Sequence, residues 1–167
     1  GFRGLRLFRN KTGQPVDPAT VKDRFGPWLV AGPFDNANGE GFDKAYPPQT
    51  EPFDASKTWP GKAGQTVKWQ AGNFTDGQVN NLALFTPELN QAAVVYLYRE
   101  IHSSQAIELP VSFGSDDTLT VWLNRRQLVN VNENRPCAPD QNQATLRLKP
   151  GKNELLIKVC NNAGDFA

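Results

Sequence analysis

Long apolar runs are missing from this 167-residue chain. Nothing approaches the roughly 18 consecutive apolar residues that a membrane-spanning helix needs. Net charge is nearly absent as well: 18 Lys and Arg stand against 17 Asp and Glu, leaving +1. A chain so balanced carries no electrostatic footprint for nucleic acid or an anionic membrane as its main partner. Histidine occurs once, as His102, and methionine not at all. A Ser-His-Asp triad would have to recruit His102, which precedes Ser103-Ser104 without any nucleophile-elbow pattern. There is no P-loop and no dinucleotide fingerprint. Paired carboxylates for glycoside hydrolysis depend on a separation that sequence does not carry. The chain is expected to be non-catalytic.

Cysteine is scarce, with Cys137 and Cys160 the whole supply. Two thiols and one histidine are too few for a thiolate–imidazole metal site. They suit a reduced or an oxidised compartment equally. Gly1-Phe2 opens the chain without Met or a signal peptide, and Asp165-Phe166-Ala167 ends it without a turn or polar tail. Both ends are what an excised piece of a longer chain would have.

Turn formers, by contrast, are plentiful: 14 Gly and 13 Pro beside 38% hydrophobic residues. That mixture suits many short strands joined by turns. The length suffices for one domain with its own core. The clearest pattern lies between Gly114 and Asn162. Leu119, Val121 and Leu123 alternate with Thr118, Thr120 and Trp122, the period of a strand with one face on a core. Asn124-Arg125-Arg126 is turn material, and Gln127 to Val131 returns. Leu146 and Leu148 then lead into Lys149-Pro150-Gly151-Lys152, with Leu155, Ile157 and Val159 alternating beyond it. This predicts a second hairpin directly after the first. In that hairpin Cys160 would face residue 141 or 142, which leaves a Cys137–Cys160 disulfide geometrically open.

Elsewhere the same reading finds a short strand around Leu5 and Leu7 and a helical turn opened by Asp17-Pro18. Further strands are expected at Trp28–Phe34, Val67–Gln70, Ala92–Ile101 and Ile107–Phe113, with a weaker one at Val79–Phe85. Pro110 marks an edge or a bulge. Residues 35–62 read as a long loop, of the kind that is functional or wraps a core edge. Eight to ten strands and no long helix predict an all-β chain, an antiparallel two-sheet β-sandwich of jelly-roll type. Residues 1–25 form an N-terminal extension or first edge strand, and residues 26–167 the sandwich.

Several motifs carry a family resemblance. Ser115-Asp116-Asp117 before Val121-Trp122-Leu123-Asn124, followed by Leu148-Lys149-Pro150-Gly151-Lys152-Asn153 and a closing apolar strand, resembles a galactose-binding-like jelly roll. Carbohydrate-binding modules and the sugar-binding domain of family 2 glycoside hydrolases share this ending. Trp28 to Phe34, Tyr46-Pro47-Pro48 and Val67-Lys68-Trp69 resemble a bacterial domain appended to large exported proteins. The resemblance covers about residues 26–167 and implies export, extracellular or periplasmic. It speaks to fold more than to function, because such folds host sugar, protein and structural roles. Asn124-Arg125 stands where the family has Asn-Gly, so a turn longer than two residues is expected there.

Candidate site residues have two readings each. Asp116 and Asp117 could ligate Ca²⁺, which takes six to eight oxygens, or cap backbone N–H groups. Protective-antigen-type lectins, which resemble this stretch, use such a pair to hold Ca²⁺ and sugar hydroxyls. Asp35, Asn36 and Asp43, in a loop with two glycines, could wrap Ca²⁺ or stay solvated; Pro47 stands where an EF-hand needs its bidentate Glu. Trp122, Tyr96 and Tyr98 alternate out of phase with the core positions and so belong on an outer sheet face, as stacking platforms or under covering loops. Trp59, in a Pro-rich loop, is the expected exposed platform. Asn132, Arg135 and Asp140 sit in a polar loop at one end of the sandwich; Arg135 and Asp140 could bind a ligand or pair with each other. Asn73-Phe74-Thr75 fits a glycosylation sequon. The function expected is a non-catalytic carbohydrate-binding accessory module taking a polysaccharide. The alternative is a structural module docking on its parent chain or a partner protein.

Overall fold

The computed structural model describes residues 2–3, 25–164 and 166. The strand expected at Leu5 and Leu7 and the helical turn at Asp17-Pro18 lie outside the described residues. The rest is an all-β sandwich. Its strands are β1 (Phe2–Arg3), β2 (Leu29–Asp35), β3 (Thr58–Pro60), β4 (Thr66–Lys68), β5 (Gln70–Ala71) and β6 (Val79–Asn80), then β7 (Ala93–Ser103), β8 (Ile107–Phe113), β9 (Leu119–Leu123), β10 (Arg126–Val131), β11 (Asn142–Leu148) and β12 (Gly151–Asn161). Two one-turn helices interrupt them, α1 (Pro47–Thr50) and α2 (Pro87–Asn90), each opened by a proline at its start. Among the described residues no helix is long and apolar enough to cross a membrane.

The principal sheet has the order β10-β9-β12-β7-β2-β5, all antiparallel. At its centre β7 and β12 pair along their whole length, from Gly151↔Ser103 to Asn161↔Ala93. Facing it is the ribbon β8–β11, paired from Ile107↔Leu148 to Phe113↔Asn142. Pro110 sits on β8, which pairs on one side alone, as its missing N–H requires. Val95, Leu97, Leu119, Val121, Leu155, Ile157 and Val159 from the sheet meet Leu109, Val111, Phe113, Leu146 and Leu148 from the ribbon in the main core.

The second expected hairpin does not form. Leu146 and Leu148 pair with β8, whereas β12 pairs with β7 and β9. The Lys149-Pro150-Gly151 turn, with Gly151 at φ 86°, carries the chain from one sheet to the other. Apolar alternation on both sides of a turn defines two half-buried strands; it does not say that they share a sheet. The disulfide arithmetic fails with the hairpin. Cys137 and Cys160 are not joined in a disulfide, and Cys160 is buried opposite Val94.

The first hairpin does form, with a two-residue turn instead of the longer one expected. Arg126 pairs directly with Leu123, and Asn124 and Arg125 both take positive φ, at 49° and 66°. This is the handedness that matches strand twist.

Candidate functional site

The outer face of the principal sheet is as apolar as its inner one. Tyr96, Tyr98, Trp122 and Cys160 lie there with Ala31 and Phe34 of β2, and Tyr46, Trp59, Val67 and Trp69 are laid over them. Residues 42–69 therefore form a cover. The out-of-phase aromatics lie beneath it, in a second core.

Specific bonds hold the cover down. Lys158, 1% exposed, rises from β12 and donates to the carbonyls of Phe42 (2.7 Å) and Lys44 (2.8 Å). Tyr46 donates its hydroxyl to the Asp35 carbonyl, and Tyr96 donates to Gln49 Oε1 at 3.1 Å. Arg125 donates to the carbonyls of Thr50 (2.7 Å) and Glu51 (3.2 Å), the open end of α1. The left-handed turn that is unusual for an arginine thus aims a guanidinium at the cover. The β3–β4 ribbon approaches β2 closely at Gly61, where a Cβ would stand 2.4 Å from Val67 and 2.7 Å from the Pro33 carbonyl.

Between cover and sheet lies a cavity of about 190 Å³. Its floor is a cross-strand row, Tyr98–Leu156–Trp122, set by the pairing of Leu156 with both neighbours. Its walls are Phe53, Trp59 and Trp69, with Pro48 and Pro52. Phe53 stacks on Tyr98 at 3.9 Å and 4°, while Trp59 meets Trp69 edge-on at 6.1 Å and 84°. The polar side chains on the lining are Gln49, Thr50, Glu51, Arg125 and Glu154. Glu51 accepts from the Trp59 indole N–H at 3.3 Å, and Glu154 accepts from the Tyr98 hydroxyl at 3.2 Å.

Burial, then the carboxylates of Glu154 and Glu100, raise the Tyr98 hydroxyl above its ordinary value of 10.0. The native chain then keeps a proton that the unfolded chain releases. Stability from this group is complete below pH 10.0 and is lost as pH climbs toward the higher folded-state value. Tyr46 and Tyr96 are raised by burial too, and contribute in the same direction. Tyr98→Phe is therefore expected to lose less melting temperature than the parent chain between neutral pH and about pH 11. Parallel loss in both proteins would refute that assignment. Lys158 is shifted downward by burial. Its contribution rises with pH and opposes the tyrosines, identically in both proteins.

The sequence-derived candidates do not come together in one site. Trp59 and Trp122 meet in the cavity. Trp59 is not an exposed platform, however: it is 7% exposed, sits in β3, and is hydrogen-bonded to Glu51. Of the polar candidates, Asn36 and Asn132 lie at the opposite end of the sheet, whereas Asp140 lies beside Ser112 on the β8–β11 ribbon and Asp43 within the cover. At that opposite end an open cleft of about 400 Å³ is lined by Asn36, Asn38, Asn132, Asn134 and Asn162. From Leu156 to Asn162, six residues of strand put roughly 20 Å between cavity and cleft. Stacking and these polar groups therefore cannot act on one sugar ring.

At the cleft, Asp116 and Asp117 are joined by a cis peptide bond. Asp117 accepts from the backbone N–H of Arg135 (3.3 Å) and of Asn162 (2.9 Å), a capping role for both oxygens. Asn36 donates to the Asn161 carbonyl and to Asn162 Oδ1 at 2.9 Å, so the two stretches expected to hold calcium meet through Asn162. Asp35 and Asp43 are exposed. Among the described residues no three His, Cys, Asp or Glu side chains are grouped so as to hold a metal ion. Nor does Arg135 pair with Asp140. Arg135 donates to Ser115 (3.0 Å), Asn142 and Glu133, while Asp140 accepts from Ser112.

Glu51, Phe53, Arg125 and Glu154 were not singled out as site residues by the sequence. Glu154 could have been, since it shares the outer face with Leu156 and Lys158 at period 2. For Glu51 and Arg125 no local signal exists.

No protein-family model matches the chain, and no curated protein matches it. Among solved structures the chain is similar to a crystal structure of a GH31 alpha-xylosidase from Xanthomonas citri, at 10% identity and a TM-score of 0.42. The match covers 100% of this chain and 15% of that enzyme.

Proposed function

We propose that this chain is a non-catalytic carbohydrate-binding module with a galactose-binding-like jelly-roll fold, an accessory part of an exported protein. The observation that carries the reading is the cavity on the outer face. Its floor and walls are mostly Trp, Tyr and Phe, and its polar groups are carboxylates, an amide, a hydroxyl and a guanidinium. A pyranose has an apolar C–H face for such rings and hydroxyls for such polar groups. An apolar cavity of about 150 Å³ holds one benzene ring. A cavity of about 190 Å³ is thus of the size for one sugar ring, which favours a chain end over an internal segment.

Isothermal titration with a panel of soluble oligosaccharides tests the proposal, with thermal melting to register any ligand that selects the folded state. Trp122→Ala removes a floor residue and is expected to weaken binding roughly tenfold or more, as truncation of a central aromatic anchor does. Circular dichroism of that variant checks that the sheet persists. A flat response to every glycan would instead favour the docking module, with the cavity filled by a side chain of a partner or of the parent protein.

A further inference from the structure

Charge on the cavity lining narrows the ligand. Two carboxylates, Glu51 and Glu154, face it, against the guanidinium of Arg125. That guanidinium is directed at the carbonyls of Thr50 and Glu51. Lysines touch both carboxylates from outside: Lys57 lies 3.9 Å from Glu51, and Lys152 lies 3.3 Å from Glu154. Both lysine side chains are at least half exposed, at 54% and 50%. Such surface pairs are weak and yield to a better-placed cation. The rings between the carboxylates add to the field, because the faces of Trp and Tyr attract a cation.

Resting on the sugar reading of the cavity, we infer that it selects a sugar bearing a free, protonated amine over the unsubstituted or N-acetylated sugar, and disfavours a uronate. The ring stacks on Trp122, since Phe53 already covers Tyr98, and the ammonium donates to Glu51 or Glu154. N-acetylation removes the charge and enlarges the substituent in a cavity of one-ring size. A uronate brings a third carboxylate beside two.

The experiment is calorimetric titration of the 167-residue chain at about pH 6 with β-linked oligosaccharides of one length: 2-amino-2-deoxyglucose, its N-acetylated form, glucose and glucuronate. The amino oligosaccharide is expected to bind about tenfold more tightly than the glucose oligosaccharide, the scale of one charge-assisted hydrogen bond. Glucuronate is expected to bind most weakly. The amine preference should shrink with added salt. In Glu51→Gln combined with Glu154→Gln it should fall to about twofold or less, with melting as the check on folding. Glu51→Gln alone, on the half-exposed cover, gives a second variant should the pair unfold. Equal affinity for amino and neutral oligosaccharides, or a preference that survives both glutamines, overturns the inference and leaves the sugar reading standing. Binding by no oligosaccharide at all defeats the sugar reading itself, and the inference with it.

Discussion

Asn153→Ala is expected to lower stability by about 4 kcal/mol, near the upper end of what one side chain commands. Asn153 is fully buried on β12, just past the turn that crosses between the sheets. Its Oδ1 accepts from the Lys149 backbone N–H at 3.0 Å and from the Asn124 amide at 2.9 Å. Its Nδ2 is shared among the carbonyls of Lys149 (2.9 Å), Gly151 (3.2 Å) and Ile101 (3.3 Å). Asn124 in turn accepts from the Glu154 backbone N–H at 2.9 Å. One amide thereby ties the crossing turn, the first hairpin and the end of β7 together. Alanine would leave these groups orphaned where water enters poorly, at about 1–3 kcal/mol for each that finds no new partner. Relaxation near the surface recovers some of them, which keeps the expected total below the sum. At about 2–4 °C per kcal/mol for a domain of this size, the melting midpoint should drop by about 12 °C. A shift below about 3 °C would mean that the turns are held by something else.

Arg99→Ala should cost about 3 kcal/mol, for a different reason. Arg99 points to the inner side of β7 and is 6% exposed. Its Nη1 donates to both Asp76 oxygens, at 3.0 and 2.8 Å, and its Nε and Nη2 donate to the Gly26 carbonyl. The guanidinium lies 4.9 Å from the Phe25 ring centre and 4.5 Å from that of Trp28, whose indole N–H also donates to Asp76. Asp76 is 38% exposed, so the ion pair itself is discounted for solvent. The larger share belongs to the hydrogen bonds and to the packing between the two aromatic rings. Arg99→Lys keeps the charge but not the planar fork, and is expected to recover less than half of the loss. Full recovery by lysine, read by chemical denaturation, would contradict a role for the fork. A double-mutant cycle with Asp76→Ala isolates the pair.

How much of this was legible beforehand depends on the range of each signal. Period-2 alternation located Ala93–Ser103, Ile107–Phe113 and Leu119–Leu123 closely, because strand geometry puts neighbours on opposite faces whatever the partner. The same alternation put Tyr96, Tyr98 and Trp122 on the outer face, where they are found. All-β character followed from composition and turn chemistry. Partnership did not, since Leu146–Leu148 and Leu155–Val159 would read alike in one sheet or two. Buried Asn153 bonds the turn between them back onto β7 and the turn of the first hairpin. The cavity was partly legible, in Trp59 and Trp122. Its other half came from the 42–69 cover, whose irregular sequence has no period to read. Arg125 joins that cover to the sheet across 74 and 75 residues of chain, a span over which local pattern carries no information. The sequence by itself determined which face each strand residue would take, because backbone geometry dictates it. Tertiary structure alone decided what would lie over those faces, because burial depends on surfaces that meet only after the chain has folded.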